Sequence, residues 1–551
     1  MRDWIKSGDP WIWFSAGGMA LALVLVLGVL WLTAVRGLGY FWPSPVVETT
    51  YVEKDGRKVR IIGEVKEEEE VAVKRLREAG FDIPGEAAFT TRLLFKLGNR
   101  DLTGTDFKWF PSPLLGEFAY PRDVLTVERH EWGNLYGHLR AVKEKGRVVA
   151  EGEAAWPELL SRADRALKLF REIFRIERYD IGDVNYTLER LRLRERRLQL
   201  EGQLTPAAKA AIEEARAEAN ARFSALQERL ARLREEIARD SMMVEVADGS
   251  VVEVPLAKVA KVYRANALSL TGKIGFYFAK LKEFITDDPR EANTEGGIFP
   301  AIFGTVMMVI LMSILVMPLG VMAAVYMREY ARQGPLIRII RIAVNNLAGV
   351  PSIVYGVFGL GFFVYFVGGH IDEAFFPEAL PAPTFGSPGI LWSSLTLAIL
   401  TLPVVIVATE EGLARVPETI RAGSLALGAT KAETLWRIVL PMASPAMMTG
   451  LILAVARAAG ETAPLMLVGV VKLAPNLPLD GHFPYFHLER QFMHLGFHIY
   501  DVGFQSPNVE AARPLVYATA LLLVLVIIVL NLTAVSLRNR LREKYRSLES
   551  I

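Results

Sequence analysis

The stretch that decides the fold is residues 389–441, GILWSSLTLAILTLPVVIVATEEGLARVPETIRAGSLALGATKAETLWRIVLP. Its first part, 389–409, is a nearly continuous apolar run of the length a bilayer crossing needs. Its second part, 410–441, is polar but carries strong local signals. Pro417 suits the first position of a helix, and that helix runs to about Leu427. Gly428 suits the left-handed stop after it. Thr430 followed by Glu433 is a capping box that starts a second short helix. Pro441 then closes that helix and opens the next apolar run. Two rigid helices meeting at a glycine corner are more than a connection between spans requires. Such a corner is something a partner protein could grip and push.

Working outward, five further segments read as membrane helices: 11–35, 299–327, 343–367, 442–470 and 514–536. Residues 11–35 are 25 consecutive uncharged positions ending near bulky Trp31 and Leu32, so the run reads as an uncleaved span rather than a secretory signal. Trp11, Trp13, Tyr40 and Trp42 suit interfacial anchors. The 343–367 segment contains Asn345, Asn346, Gly349, Pro351 and Ser352, so it should be partly irregular and face protein. Cations cluster at 328–341 (Arg328, Arg332, Arg338, Arg341), at 415–437 and after span six (Arg538, Arg540, Arg542, Lys544, Arg546). All three lie on one side if both termini are cytoplasmic. This topology makes 1–10 a cytoplasmic N-terminus and 537–551 a basic cytoplasmic tail resting on lipid headgroups. It places 41–295 outside.

That middle block differs in composition. It holds 87 of the 124 Asp, Glu, Lys and Arg residues, so it cannot be buried in lipid. Residues 49–65 alternate around Asp55-Gly56, and 244–256 around Asp248-Gly249; both are hairpin signals. Between them, about 158–240 reads as helix broken at Thr205-Pro206, which predicts an antiparallel helical hairpin. Leu226, Leu230 and Leu233 form its apolar stripe. The charge-rich remainder reads as a solvated face. The expected fold is therefore an all-α polytopic membrane protein of six transmembrane helices, with an α+β extracytoplasmic insert at 41–295 containing the helical hairpin.

Several chemistries are excluded. The net charge of +2 argues against a nucleic-acid partner. The chain has no cysteine, hence no disulfide or thiolate site. It carries no G-x-x-x-x-G-K-[ST], H-E-x-x-H or G-x-S-x-G pattern, so no catalytic residue is assigned and no nucleotide is expected on this chain. His482, His487, His494 and His498 fall in one outer loop, and His494 and His498 have i,i+4 spacing; no carboxylate completes a metal motif, so no metal site is assigned.

Arg457 and Glu461 are the charges inside an apolar run. At mid-bilayer each costs roughly 2.5–3.5 kcal/mol on insertion scales. Four residues apart on one helical face, they can pair. Gly450, Ala454 and Ala458 form a small-residue stripe beside them. One reading is an ion pair that only fixes packing. The other, which intramembrane charges favour, is that Arg457 meets an oxyanion in a pathway and Glu461 holds or releases it. Asn345 and Ser352 could line the same path, or satisfy backbone groups freed near Pro351.

The spacing Gly428, nine residues, Ile438, one residue, Leu440-Pro441 resembles the cytoplasmic loop of ABC importer permeases, written E-A-A, three residues, G, nine residues, I-x-L-P. Here Ala422-Gly423-Ser424 stand at the E-A-A positions, with Glu418 one turn earlier. Gly349-Val350-Pro351-Ser352-Ile353-Val354-Tyr355-Gly356, Thr409-Glu410-Glu411, Ser424-Leu425-Ala426-Leu427-Gly428-Ala429-Thr430 and Arg457-Ala458-Ala459-Gly460-Glu461-Thr462-Ala463-Pro464 resemble the A-type permease subunits of phosphate-specific (Pst) importers. The resemblance covers 296–540 well and the first span loosely, and the insert at 41–295 resembles the extended N-terminal region of some bacterial members. It implies a type I permease fold and a transmembrane subunit of an ATP-driven phosphate importer in a bacterial inner membrane. It implies as partners a C-type second permease, two ATPase subunits carrying ATP and Mg, and a periplasmic phosphate-binding protein. It also implies that Glu418, Ala422, Gly423, Ser424, Gly428, Ala429, Ile438, Leu440 and Pro441 form the ATPase-coupling loop, and that Arg457 and Glu461 take part in translocation. The rival readings are a permease for sulfate or molybdate, and a membrane-anchored sensor or scaffold.

Overall fold

The computed structural model describes residue 7 and residues 9–290, 293–506 and 509–549. Most of the expected N-terminal segment 1–10, and residues 550–551 of the tail, lie outside them. The chain divides into two compact units. One comprises residues 1–40, 285–288 and 298–551, and the other residues 41–284 and 289–297.

Among the described residues of the first unit, six helices are long and apolar enough to cross a membrane: Trp11–Gly39, Phe299–Tyr330, Ser352–Phe375, Ile390–Arg415, Lys431–Gly460 and Ala512–Glu543. The fourth is the most enclosed. It packs on the second where Val405 fills the space above Gly320. It packs on the fifth where Gly412 faces Ala443 and Ala446, and where Gly450 faces Val405 and Ala408. A Cβ on Gly450 would come within 2.7 Å of Ala408 Cβ, so the small-residue stripe sets the helix separation. The core at this level is Met308, Met312, Val316, Leu397, Ala454 and Ala458.

Two expected boundaries move. The third span does not begin at 343: helix Pro335–Leu347 ends, residues 348–351 are non-helical, and a new helix starts at Ser352. Pro351 has no N–H to donate and holds its predecessor extended, while Gly349 weakens the turn before it. The fifth span does not reach 470; it ends at Gly460, and Glu461 is extended with φ −77° and ψ 135°.

The second unit is α+β. One antiparallel sheet has the order β1 (Val46–Val52), β2 (Lys58–Ala72), β3 (Phe89–Lys96), β4 (Phe107–Pro111). The other is built from β5 (Val124–Arg129), β6 (Asn134–Glu144), β7 (Arg147–Glu151), β8 (Asp240–Glu245), β9 (Val251–Pro255) and β10 (Val259–Tyr263), in the order β10-β5-β6-β8-β9 with β7 against β6. Gly56 and Gly249 take φ of +82° and +83° at the tips of the two hairpins, the left-handed conformation that glycine adopts without a Cβ clash. Helix runs from Ala155 to Leu200 through one wide turn at Ile176–Asp180, then returns as Pro206–Ile237. Thr205 caps the return by accepting from Ala208 N at 3.2 Å. Pairs Glu195–Arg216 and Glu177–Arg234 fix the antiparallel register. Leu230, with Leu226 and Leu233 beside it, joins Leu159, Ile173 and Ile176 over the sheet residues Leu125, Met242 and Val244.

Candidate functional site

Two places in the first unit gather the residues that the sequence singles out. The first is the corner at 417–441. Helix Glu418–Ala426 ends through Leu427, and Gly428 turns the chain at φ +88°, its N–H donating to Leu425 O at 3.0 Å. Thr430 then caps the next helix: Oγ1 accepts from Glu433 N at 3.2 Å, and Thr430 N donates to Glu433 Oε2 at 2.9 Å. Pro441 does not close this helix. Lys431–Thr434 continues through a wide turn at Leu435–Val439 into Leu440–Gly460. The widened turn shifts the bonding pattern ahead of Pro441, whose ring and missing N–H a regular turn could not accommodate. The short helix is therefore the foot of the fifth span.

Tertiary contacts then lock the corner. The hydroxyls of Ser424 and Thr434, both buried, lie 2.8 Å apart. Arg421 Nη1 stands 3.0 Å from Glu329 Oε1, and its Nη2 donates to Leu413 O at 2.6 Å. Glu329 ends the second span, and its carbonyl accepts from Lys431 Nζ, which also sits over the Tyr330 ring. Beneath them Leu413, Val416, Leu435, Val439 and Met442 pack with Ala324 and Met327. Ile438 and Leu440 pack at its edge. Ala422 and Gly423 lie on the outer side of the first helix, and Gly423 has no atom near where a Cβ would stand. Leu427 is 91% and Trp436 75% exposed, so the corner presents these two large apolar side chains outward, with Leu425 exposed beside them. Glu418 is exposed and Ala429 half-buried beside them. Sequence reasoning misses Leu427 and Trp436, because both read as ordinary helix residues.

The second place surrounds Arg457. The antiparallel register that sets Gly450 against Val405 and Ala408 carries on along both helices. Seven residues further it brings Arg457 level with about residue 399, well inside the fourth span. Arg457 Nε is 3.7 Å from Glu461 Oε1, an ion-pair distance longer than a hydrogen bond. The two do not share a helical face, because the helix ends between them; Glu461 reaches back from the extended segment that follows. That segment is held by close backbone approach. A Cβ on Gly356 would come within 2.7 Å of Pro464 Cα, and one on Gly359 within 2.9 Å of a Val468 methyl.

Asn345 is exposed and Ser352 half-buried, and among the described residues neither side chain makes a hydrogen bond. The backbone near Pro351 is satisfied otherwise. Gly349 N and Val350 N donate to Asn346 O and Leu347 O, and Tyr355 hydroxyl donates to Leu347 O at 2.7 Å. Arg341 and Glu410 join the helix that precedes the third span to the fourth at 3.1 Å.

The histidines of the loop before the last span have separate roles. His494 precedes helix Leu495–Tyr500 and accepts from Gly496 N through Nδ1 at 3.1 Å, so it is a cap rather than a helical partner of His498. Burial pushes its pKa down to about 3. His487 lies between Asp480 at 2.9 Å and Glu489 at 3.1 Å. Burial pushes the Asp480 carboxyl up, but donors from His482 N, Arg490 and His487 outweigh it, and it falls to about 2. Among the described residues no group of three or more His, Asp or Glu could hold a metal.

A family model described as "binding-protein-dependent transport system inner membrane component" matches residues 316–547. The phosphate transport system permease protein PstA of Mycobacterium leprae is 37% identical over 206 residues, covering 37% of this chain and 62% of that protein. PstA 1 of Mycobacterium tuberculosis is 35% identical over 244 residues, covering 44% of this chain and 71% of that protein. The chain belongs to the PstA-type permeases. This permease is thus a multi-pass inner-membrane protein and not an enzyme, and its ABC importer permease fold occupies the first unit. The family model begins at residue 316, so the α+β insert lies outside it. A solved chain of the MetNI methionine ABC transporter, inward facing, aligns over 44% of this chain and 94% of its own length at 17% identity, with a TM-score of 0.33.

Proposed function

We propose that this chain is the transmembrane subunit of an ATP-driven importer of inorganic phosphate. The observation that carries the reading is 35% identity across 71% of a protein named as a phosphate permease. The locked corner at 417–441 and a charged pair level with the interior of the spans fit the same reading.

In this reading both termini and the corner are cytoplasmic and the insert is periplasmic. Two separate ATPase subunits, which carry ATP and Mg, grip the corner through Leu427 and Trp436. Ser424–Thr434 and Arg421–Glu329 make the corner stiff, so a push on it moves the helix foot rather than deforming the loop. The helix from Lys431 to Gly460 is unbroken. Arg457, 26 residues along it, is about 39 Å from that foot at 1.5 Å per residue. A C-type second permease completes the pathway, and a periplasmic phosphate-binding protein delivers the substrate.

Arg457 offers a planar fork of donors suited to two phosphate oxygens. Glu461, at 3.7 Å, is close enough to hold the guanidinium without saturating it. Phosphate entering displaces the carboxylate, and its departure restores the pair. Anion transfer thus leaves no unpaired cation in a low-dielectric setting.

The test is ATPase activity of the reconstituted complex. Stimulation by phosphate-loaded binding protein and not by sulfate supports the reading. Equal stimulation by both would reject phosphate selectivity, and purification of the chain without any nucleotide-binding partner would reject the importer itself.

A further inference from the structure

Helix Leu270–Thr286 is amphipathic the wrong way round for a solvated domain. Its inward side carries the charge. Lys280 Nζ donates to the buried carboxylate of Glu128 at 2.5 Å and stands 3.1 Å from Glu283, and Lys261 lies over the Phe276 ring at 4.5 Å. Its outward side is Leu270, Thr271, Ile274, Gly275, Phe278, Ala279 and Lys282, positions spaced by three and four. Leu270 is 69% and Phe278 62% exposed, with Ile274 exposed between them. Scattered apolar side chains on a surface need no explanation, but a continuous stripe on one helix does.

Chain connectivity says what covers it. Tyr277, on the same helix, packs edge-on against Phe41 at 6.1 Å and beside Trp42 at 6.2 Å. Trp42 follows the first membrane span by three residues, so the chain tethers it within about 11 Å of the end of that span. Tyr40 and Trp42 are themselves exposed aromatic residues of the kind that settle at headgroup level. At its other end the helix is followed, thirteen residues on, by Phe299 at the start of the second span. Lys273 flanks the stripe, and its stem can lie along the apolar boundary while its ammonium group reaches lipid phosphates.

We infer that this helix lies in the membrane interface, with Leu270, Ile274 and Phe278 inserted among lipid acyl chains. The occupant of the stripe is the bilayer that the spans cross. The helix then holds the insert at the lipid surface, independently of which substrate the permease carries.

The absence of native cysteine makes the test direct. Phe278→Cys, Ile274→Cys and, as a control on an exposed strand position of the same unit, Val148→Cys are labelled with a small fluorophore. The full chain is placed in phosphatidylcholine–phosphatidylglycerol nanodiscs with or without lipid bearing a nitroxide high on the acyl chain. Labels at 274 and 278 should be quenched by the nitroxide at least about twofold more than the label at 148, and less by aqueous iodide. Iodide quenching at 274 and 278 equal to that at 148 would mean a hydrated face and overturn the inference. Protection from both quenchers would mean a protein covers the stripe, and would overturn it equally. Two stripe positions guard against a single label disturbing the helix.

Discussion

Ser424 and Thr434 sit ten residues apart on two different helices, and their hydroxyl oxygens lie 2.8 Å from each other in a buried site. Among the described residues, no backbone hydrogen bond joins those helices except through the turn at Gly428, so side-chain contacts, this bond among them, hold the angle between them. Replacing one partner strands the other. Ser424→Ala or Thr434→Val should each destabilise the corner by about 1–3 kcal/mol, and the pair by less than the sum of the two. A double-mutant cycle on thermal unfolding of the purified complex measures this, and a coupling near zero would remove the lock.

Gly428 takes φ +88°, and no atom lies within 4 Å of where a Cβ would stand. A side chain there meets backbone strain and no clash. Gly428→Val should therefore cost about 1–2 kcal/mol through the left-handed conformation alone and lower ATPase association. Gly428→Asn, which tolerates that conformation, should retain most of it. Co-purification of the nucleotide-binding subunit separates the two, and equal retention in both variants would count against a role for the turn.

Arg457→Gln should abolish phosphate uptake while the complex still assembles. Truncating the charge leaves Glu461 without its partner at 3.7 Å, so Arg457→Gln/Glu461→Gln should assemble at least as well and still fail to transport. Normal uptake by Arg457→Gln would refute the pathway role.

His494 is neutral in the fold because burial depresses its pKa to about 3. The unfolded chain takes the proton near 6.5. Stability from this group is thus fully present above about 6.5 and is lost as pH falls from there towards 3. His494→Asn keeps an acceptor for Gly496 N, since asparagine is a good helix cap, and should flatten the acid limb of a stability–pH curve. An unchanged limb would mean that other groups control it.

Local chemistry is legible in the sequence and tertiary chemistry is not. Thr430 and Glu433 announce their cap because both partners lie within one turn, and Gly428 announces its turn because few other residues adopt that φ. Ser424 with Thr434, and Arg421 with Glu329, meet only after the spans have packed, so no spacing reveals them. Pro441 misleads because a proline usually ends a helix, whereas a wide turn here absorbs it. Glu461 misleads for the opposite reason: i,i+4 spacing assumes a helix, and this one stops at Gly460. Asn345 and Ser352 suggest side-chain partners for the backbone freed at the break, but the hydroxyl of Tyr355 takes that place at Leu347.

The gap at 348–351 separates two rods that both touch the fourth span. The first is fastened to it by Arg341 and Glu410; the second packs on it where Gly359 meets Thr396 and Phe363 stacks on Trp392, and rests on Pro464 through Gly356. A swivel between them disturbs two turn bonds and one tyrosine contact, and no helical ladder. The first rod can tilt while the second stays wedged between the fourth span and the segment that bears Glu461, so the two need not move in step.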